Sequence, residues 1–388
     1  MSDRWDPAAF RTRVDAVLRD FLDEEAGHLV AVDDALAPVA GQLRRAAGHG
    51  KRLRAAFCYW GWRAAGQPDS DALVRAAAAM ELVHAAAIVH DDLIDDSALR
   101  HGLPTVHVAL EAVLTAASEA IRETHPESAR DPWSGPWSDQ DPDLDPAPEP
   151  ARDGRRRVRA AARSLAMLVG DHLMALAGQL FTTSGLPAAY LARARGLWAA
   201  LARELIAGEC LEILHTGGPP DTGTSLKVVR YKTAKYTVEH PLLIGGLLAG
   251  ATPALRDTYS AYGLPLGEAF QLRDDLLGLF GDPERTGKAA LDDLRAHRPT
   301  ALLAETWQAA DESQRERLRG VLGRGDLDVT HLREVRDLML ELKAPQRVEG
   351  MILARVERAS RALDTADTPP QARRVLRELA QQATDRIH

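Results

Sequence analysis

Apolar residues recur three and four positions apart along almost the whole chain, the period of a helix with one buried face. That pattern predicts helices over 8–46, 51–66, 70–99, 104–122, 157–183, 186–215, 224–250, 253–281, 297–309, 311–323, 329–341 and 346–382. Ala, Leu and Arg, all good helix formers, dominate these segments. Alternating β-branched runs are nearly absent. Gly and Pro collect between the segments, as in Gly185-Leu186-Pro187, Gly217-Gly218-Pro219-Pro220 and Gly281-Asp282-Pro283. The expectation is an all-α fold, a large single-domain helical bundle spanning 1–388 with its active site in the core.

One stretch breaks the pattern. Between about 124 and 154 the chain holds seven prolines, from Pro126 to Pro150, among Asp131, Asp139, Asp141, Asp143, Asp145 and Glu149. Such a composition buries too little apolar surface to fold alone, so a disordered insertion is expected there.

Two of the apolar helices carry acidic motifs, Asp91-Asp92-Leu93-Ile94-Asp95-Asp96 and Asp274-Asp275-Leu276-Leu277-Gly278. A carboxylate in an apolar helix is costly unless positive charge meets it. Asp91 and Asp95, four residues apart, share a helix face, and Asp92 and Asp96 pair the same way. Glu81 and His84 fall on the stripe of Asp91 and Asp95, and Gln271 on that of Asp274 and Asp275. Cations flank both motifs: Lys51, Arg52 and Arg54 before the first, Arg100 after it, Lys232 mid-chain, Lys288 and Arg298 after the second. Mg²⁺ takes one or two carboxylates plus substrate phosphate oxygens, and Lys and Arg are the usual phosphate partners. The pattern therefore points to a site for a diphosphate and Mg²⁺.

Composition narrows the remaining classes. The 388 residues are 45% hydrophobic and 27% charged, ordinary for a globular chain with a substantial core. A net charge of −8 gives no footprint for nucleic acid, and no Lys/Arg run is long enough to suggest a membrane surface. Cys58 and Cys210 form neither a disulfide framework nor a metal-binding spacing. The N-terminus lacks the apolar core of a signal peptide. The longest uncharged stretch, 172–192, is broken by the turn-like run 182–187 and reads as two core helices. A cytoplasmic protein without stable membrane insertion is expected.

With the motifs placed, the chain resembles the trans-isoprenyl diphosphate synthase (polyprenyl synthetase) family, most like its geranylgeranyl diphosphate synthases. The matching stretches are Gly50-Lys51-Arg52-Leu53-Arg54, Glu81-Leu82-Val83-His84, His90 to Asp95, and Arg100 to His107. Val169 to His172, Tyr231-Lys232-Thr233, Phe270 to Asp275, Gly281-Asp282-Pro283 and Thr286-Gly287-Lys288 follow in the family's order. The resemblance implies condensation of isopentenyl diphosphate with an allylic diphosphate by ionisation, condensation and elimination. It implies Mg²⁺, three ions with bound diphosphate, held by Asp91, Asp95 and Asp274 with Asp92 and Asp275 in support. By the same resemblance Arg100, Lys232 and Lys288 grip the allylic diphosphate, and Thr233 and Gln271 stand near the reacting carbon. Lys51, Arg54 and His84 match the positions that bind isopentenyl diphosphate. A homodimer is also implied.

The departures concern the acceptor. His101 stands where the family carries a second Arg, and neutral imidazole is a single donor where Arg is always charged. Arg298 replaces a customary Lys and is followed by Pro299; Ala55 replaces a Pro. These changes leave open an alternative, a family-like terpene cyclase or a prenyltransferase with no acceptor or a different one. The retained aspartates argue against a non-catalytic subunit. In the family, bulky residues four and five positions before the first Asp block the tail early; here those are Ala87 and Ala86. A product of twenty carbons, or longer, is expected, with Val83 and Met80 as candidate floor.

Overall fold

The computed structural model describes residues 5–124, 150–281, 294, 298–322, 324 and 327–384. The segment read as one helix over 8–46 is helix α1 (Pro7–Val32) and helix α2 (Ala37–Ala47). They part at Asp33, whose carboxylate accepts the Ala35 N–H and caps a 3-10 turn over Asp34–Leu36. Helices α3 (Leu53–Ala64) and α4 (Asp71–Ile94) follow. Next come two short strands that the helical period had not revealed, β1 (Leu99–Arg100) and β2 (Leu103–Pro104). They pair antiparallel with Leu99 opposite Pro104.

Helix α5 (Val106–Thr124) is followed by α6 (Pro150–Thr182) and α7 (Ala188–His215). Residues 150–154, read as the end of the insertion, are thus the first turns of α6. Proline is tolerated at a helix's first position because its missing N–H would have no helical partner there. The rest of the Pro- and Asp-rich insertion, 125–149, lies outside the described residues. Helix α8 (Thr222–Val228) runs into a π-helical segment, Val229–Glu239, and then α9 (His240–Ala249) and α10 (Pro253–Phe280). Helices α11 (Ala301–Ala309), α12 (Glu312–Leu322), α13 (Val329–Glu341), α14 (Ala344–Asp364) and α15 (Pro370–Thr384) complete the described chain.

The backbone groups into two compact units. One is built from 1–17, 50–81 and 177–388. In it α10 packs along α14 and the π segment, and α9 packs against α3. Its core includes Leu272, Leu276, Leu302, Val335, Met339 and Val348. The other unit comprises 18–49 and 82–176. There α5 lies beside α2, and Leu93, Leu110, Ala162 and Ala166 form the core.

Helix α4 and the Gly154–Thr182 part of α6 are long and apolar enough to cross a membrane by length and composition alone. In α4, 72% of that apolar window is buried within the protein, as expected of a core helix; in α6, 44% is. Between α6 and α7 the chain breaks at 183–187, where the sequence reading placed the turn.

Candidate active site

The first acidic motif ends α4. Asp96 has φ 53°, in the left-handed region, which Asp tolerates better than most residues. The Ser97 N–H reaches back to the Asp92 carbonyl at 3.0 Å, and the Asp95 N–H to that of Asp91 at 2.9 Å. The Ser97 bond is the six-residue closure typical of a Schellman ending, with Asp96 in the position glycine usually takes. It corrects one expectation: Asp96 leaves the helix, so it does not share a face with Asp92. Its carboxylate is met instead by Arg159 Nη2 at 2.8 Å and Arg163 Nη1 at 2.5 Å, and Arg163 Nη2 donates to the Leu93 carbonyl at 2.8 Å.

The hairpin then brings Arg100 back onto α4. Its loop is His101-Gly102, with φ 52° and 74°, the positive pair required by a two-residue turn that follows the strands' twist. Thr105 closes the base, its Oγ1 donating to the Ser97 carbonyl at 2.7 Å, and Arg45 on α2 donates to the Pro104 carbonyl at 3.1 Å. Arg100 Nε donates to Asp92 Oδ1 at 2.9 Å and Nη2 to Asp91 Oδ2 at 3.0 Å. Asp91 and Asp92 are both buried, at 8% and 4% exposure respectively. Burial works against the Arg100 charge, but Asp92 and Asp91 outweigh it and hold its pKa above the ordinary arginine value. Gly170 on α6 makes room for the side chain that precedes the motif, since a Cβ there would fall 2.3 Å from His90 Nε2. One or two turns back along α4, Ala86 is buried and His84 and Ala87 are half-buried. His101, at the hairpin tip, is exposed.

In the other unit the π segment carries Lys232 and Thr233. Two glycines let it approach its neighbours: a Cβ on Gly208 of α7 would lie 2.2 Å from the Lys232 nitrogen, and one on Gly267 of α10 would lie 2.4 Å from the Ala234 carbonyl oxygen. Lys232 Nζ sits 2.9 Å from Glu209 and closer still to Glu212, both on α7. Thr233 is buried. One turn further on, Tyr236 and Thr237 take the Nη2 donors of Arg54, at 2.8 and 3.0 Å, with the guanidinium 4.5 Å from the Tyr236 ring centre. Arg54 is 6% exposed, whereas its neighbour Lys51 is exposed.

The second motif sits in mid-helix. Asp274 and Asp275 are half-buried, and Gln271 Nε2 donates to Asp275 Oδ1 at 2.8 Å. With Gln271 they form the polar side of a small pocket that also holds Arg298 and Thr300, closed by Leu279, Leu303, Leu322 and Met339. Lys288 lies outside the described residues.

The fold thus groups Asp91, Asp92 and Arg100 at one helix end, and Gln271, Asp274, Asp275 and Arg298 at one pocket. Sequence reasoning missed Tyr236 and Thr237 as partners of Arg54. Their distance of one helical turn from Lys232-Thr233 was the signal available. Carboxylates set against fixed cations are the equipment for handling a polyanion together with a hard metal ion.

Comparison with known proteins agrees with this chemistry. The pattern of the polyprenyl synthetase family matches residues 40–121 and 152–339, and the gap between them coincides with the Pro- and Asp-rich insertion. The chain is 26% identical over 280 residues to octaprenyl diphosphate synthase of Escherichia coli, covering 72% of this chain and 69% of that one. It is 30% identical over 262 residues to (2E,6E)-farnesyl diphosphate synthase of Mycobacterium tuberculosis, covering 67% and 57% respectively. Its structure is similar to geranylgeranyl pyrophosphate synthase from Corynebacterium glutamicum, solved with isoprenyl diphosphate and magnesium. That match has a TM-score of 0.84 and 30% identity, over 99% of this chain and 100% of the other.

Proposed function

This chain belongs to the polyprenyl synthetase family, and on that premise we propose that it is a Mg²⁺-dependent synthase joining isopentenyl diphosphate to an allylic diphosphate, with geranylgeranyl diphosphate as product. The observation that carries the reading is the buried pair Asp91 and Asp92 with Arg100 returned onto it.

The donor set fits the metal. Asp91, Asp95 and Asp274, with Asp92 and Asp275 in support, offer only hard carboxylate oxygens, which suit Mg²⁺. When bound, the ions supply positive charge that lowers the cost of releasing diphosphate. Arg100, Lys232 and Lys288 grip the allylic diphosphate. Lys232 is held between Glu209 and Glu212, and Arg100 between Asp91 and Asp92 until an ion claims those carboxylates, so both cations are kept close to where charge develops on the leaving group. The allylic C–O bond breaks with its electron pair on the diphosphate, Thr233 and Gln271 offer oxygen dipoles to the cation left behind, the isopentenyl double bond attacks, and a proton is lost.

Lys51, Arg54 and His84 hold the acceptor's diphosphate, with His101 and Arg298 nearby in role. Arg54 Nη2 is committed to Tyr236 and Thr237, while its buried Nε has no hydrogen-bond partner among the described residues. Product length is read from Ala86 and Ala87, which leave room for a tail to pass. Val83 and Met80, both buried, stand about two and three turns before Asp91, and each turn is about 5.4 Å. A cytoplasmic homodimer completes the proposal.

The test is incubation with Mg²⁺, isopentenyl diphosphate and dimethylallyl, geranyl or farnesyl diphosphate in turn, with products dephosphorylated and sized by mass. A twenty-carbon alcohol is expected. Diphosphate release without consumption of isopentenyl diphosphate would replace this reading by a cyclase or a different acceptor. Ala87→Phe should shorten the product; unchanged length would remove the tail assignment.

A further inference from the structure

Arg52 has no part in the chemistry above, yet the fold confines it tightly. It sits between exposed Lys51 and helix α3 with φ 56°, a left-handed conformation that a non-glycine residue keeps only where its surroundings impose it. Its side chain is 4% exposed. Nε donates to Asp15 Oδ1 on α1 at 2.7 Å, and Nη1 lies 4.0 Å from Glu81 Oε2 on α4. Glu81 is itself 3% exposed, and its other oxygen accepts the Ala55 N–H in the first turn of α3 at 2.9 Å. That N–H is one of the donors a helix start cannot satisfy internally. The Ala56 N–H completes the turn on the Arg52 carbonyl at 3.0 Å.

A strained backbone, a buried cation and a carboxylate shared with a helix start therefore converge on the one residue that follows Lys51 and leads into α3, whose first turn carries Arg54. We propose that Arg52 is a positioning residue for the acceptor-diphosphate site. The Asp15–Arg52–Glu81 clamp fixes the direction in which the chain leaves Lys51 and the start of the helix that presents Arg54, without Arg52 touching substrate. The proposal rests on the reading of Lys51 and Arg54 as acceptor ligands. It goes further by making their geometry depend on a residue whose own charge is spent inside the protein.

Loosening the clamp leaves both acceptor ligands present but misplaced, and misplacement on the order of 1 Å is enough to matter. The allylic diphosphate, read as held by Arg100, Lys232 and Lys288, keeps its cations. Arg52→Ala should therefore raise KM for isopentenyl diphosphate about tenfold, while KM for the allylic diphosphate and kcat at saturation stay within about threefold. Arg52→Lys, which keeps the charge but cannot fork between two carboxylates, should fall between Arg52→Ala and the parent. Unfolding temperature is recorded for each variant. If Arg52→Ala does not fold, Arg52→Lys and Asp15→Asn carry the test, each expected to raise only the isopentenyl KM. An unchanged isopentenyl KM, or equal rises in both KM values tracking a lower unfolding temperature, would reduce Arg52 to a stabilising ion pair and overturn the proposal. Lys51→Ala separates the two layers. If it leaves the isopentenyl KM unchanged, the acceptor-site reading itself fails, whatever Arg52 does.

Discussion

Asp91 and Asp92 stand where α4 ends and are almost wholly buried, whereas Asp274 and Asp275 stand inside a 28-residue helix and are half-buried. The chain leaving α4 turns straight back through a two-residue loop and sets Arg100 on both carboxylates. The chain around Asp274 and Asp275 cannot turn, so Asp275 receives the neutral amide of Gln271 one turn earlier, and Arg298 and Thr300 reach the same pocket from beyond the helix. A carboxylate cluster at a helix end can thus draw its counter-charge from the next few residues, while one in mid-helix depends on tertiary neighbours. It follows that a cation approaching the first motif competes with Arg100 for Asp91 and Asp92.

Arg100→Ala tests that competition and carries the largest expected effect. Removing one partner of a buried ion pair costs roughly 3–5 kcal/mol, so the metal-free variant should unfold well below the parent temperature. Mg²⁺ should restore more stability to the variant than it adds to the parent, because a ligand stabilises by its affinity for the folded state. Equal Mg²⁺ shifts in thermal unfolding would mean that Arg100 and the ion do not share those carboxylates. Asp91→Asn comes next. Loss of a preorganised charge contribution is worth about 10²–10³ in turnover, read as the rate of diphosphate release. Asp274→Asn should fall by a similar factor if each motif holds an ion, and an unaffected Asp274→Asn rate would leave the second motif out of the chemistry. Gln271→Ala is smaller: it deletes one amide hydrogen bond to the Asp275 carboxylate, at the low end of the roughly 1.5–3 kcal/mol of a bond to a charged group, and should lower kcat about tenfold.

The same contrast explains what was legible in the sequence. Helix α13 matches the predicted 329–341, and its start is fixed by Asp328, which caps the N–H groups of Thr330 and His331 in a capping box. The hairpin was missed because strands of two residues carry no alternation; Gly102 was the cue. The single helix read over 346–382 parts between Asp364 and Pro370, where Pro369 and Pro370 break it. At the site, Arg100 was readable as a cation beside the first motif because the two are close in sequence, but its direct pairing with Asp91 and Asp92 was not predicted. The contact of Arg54 with Tyr236, 182 residues away, was not readable. Nor was the π segment, since a widened helix leaves no distinct apolar period; only the close-approach glycines Gly208 and Gly267 hint at it.

Within the first motif the contrast repeats on a smaller scale, and Asp96→Asn tests it. The four-residue spacing predicts Asp96 as a face-mate of Asp92, but the left-handed turn at Asp96 hands its carboxylate to Arg159 and Arg163. Partial burial works against its charge, yet the two guanidinium groups outweigh that and hold its pKa below the usual 3.8. With the folded pKa depressed, any stability from these pairs is present above the unfolded pKa and is lost as pH falls through the folded one. The carboxylate is about half exposed, so solvent screens the pairs and their worth is about 0–1 kcal/mol. Asp96→Asn should therefore lower the unfolding temperature slightly at neutral pH, less at acid pH, and leave diphosphate release within about twofold of the parent. A loss as large as that of Asp91→Asn would mean that the last carboxylate of the motif serves the chemistry after all, and that the helix end delivers three aspartates plus a fourth rather than three and an anchor.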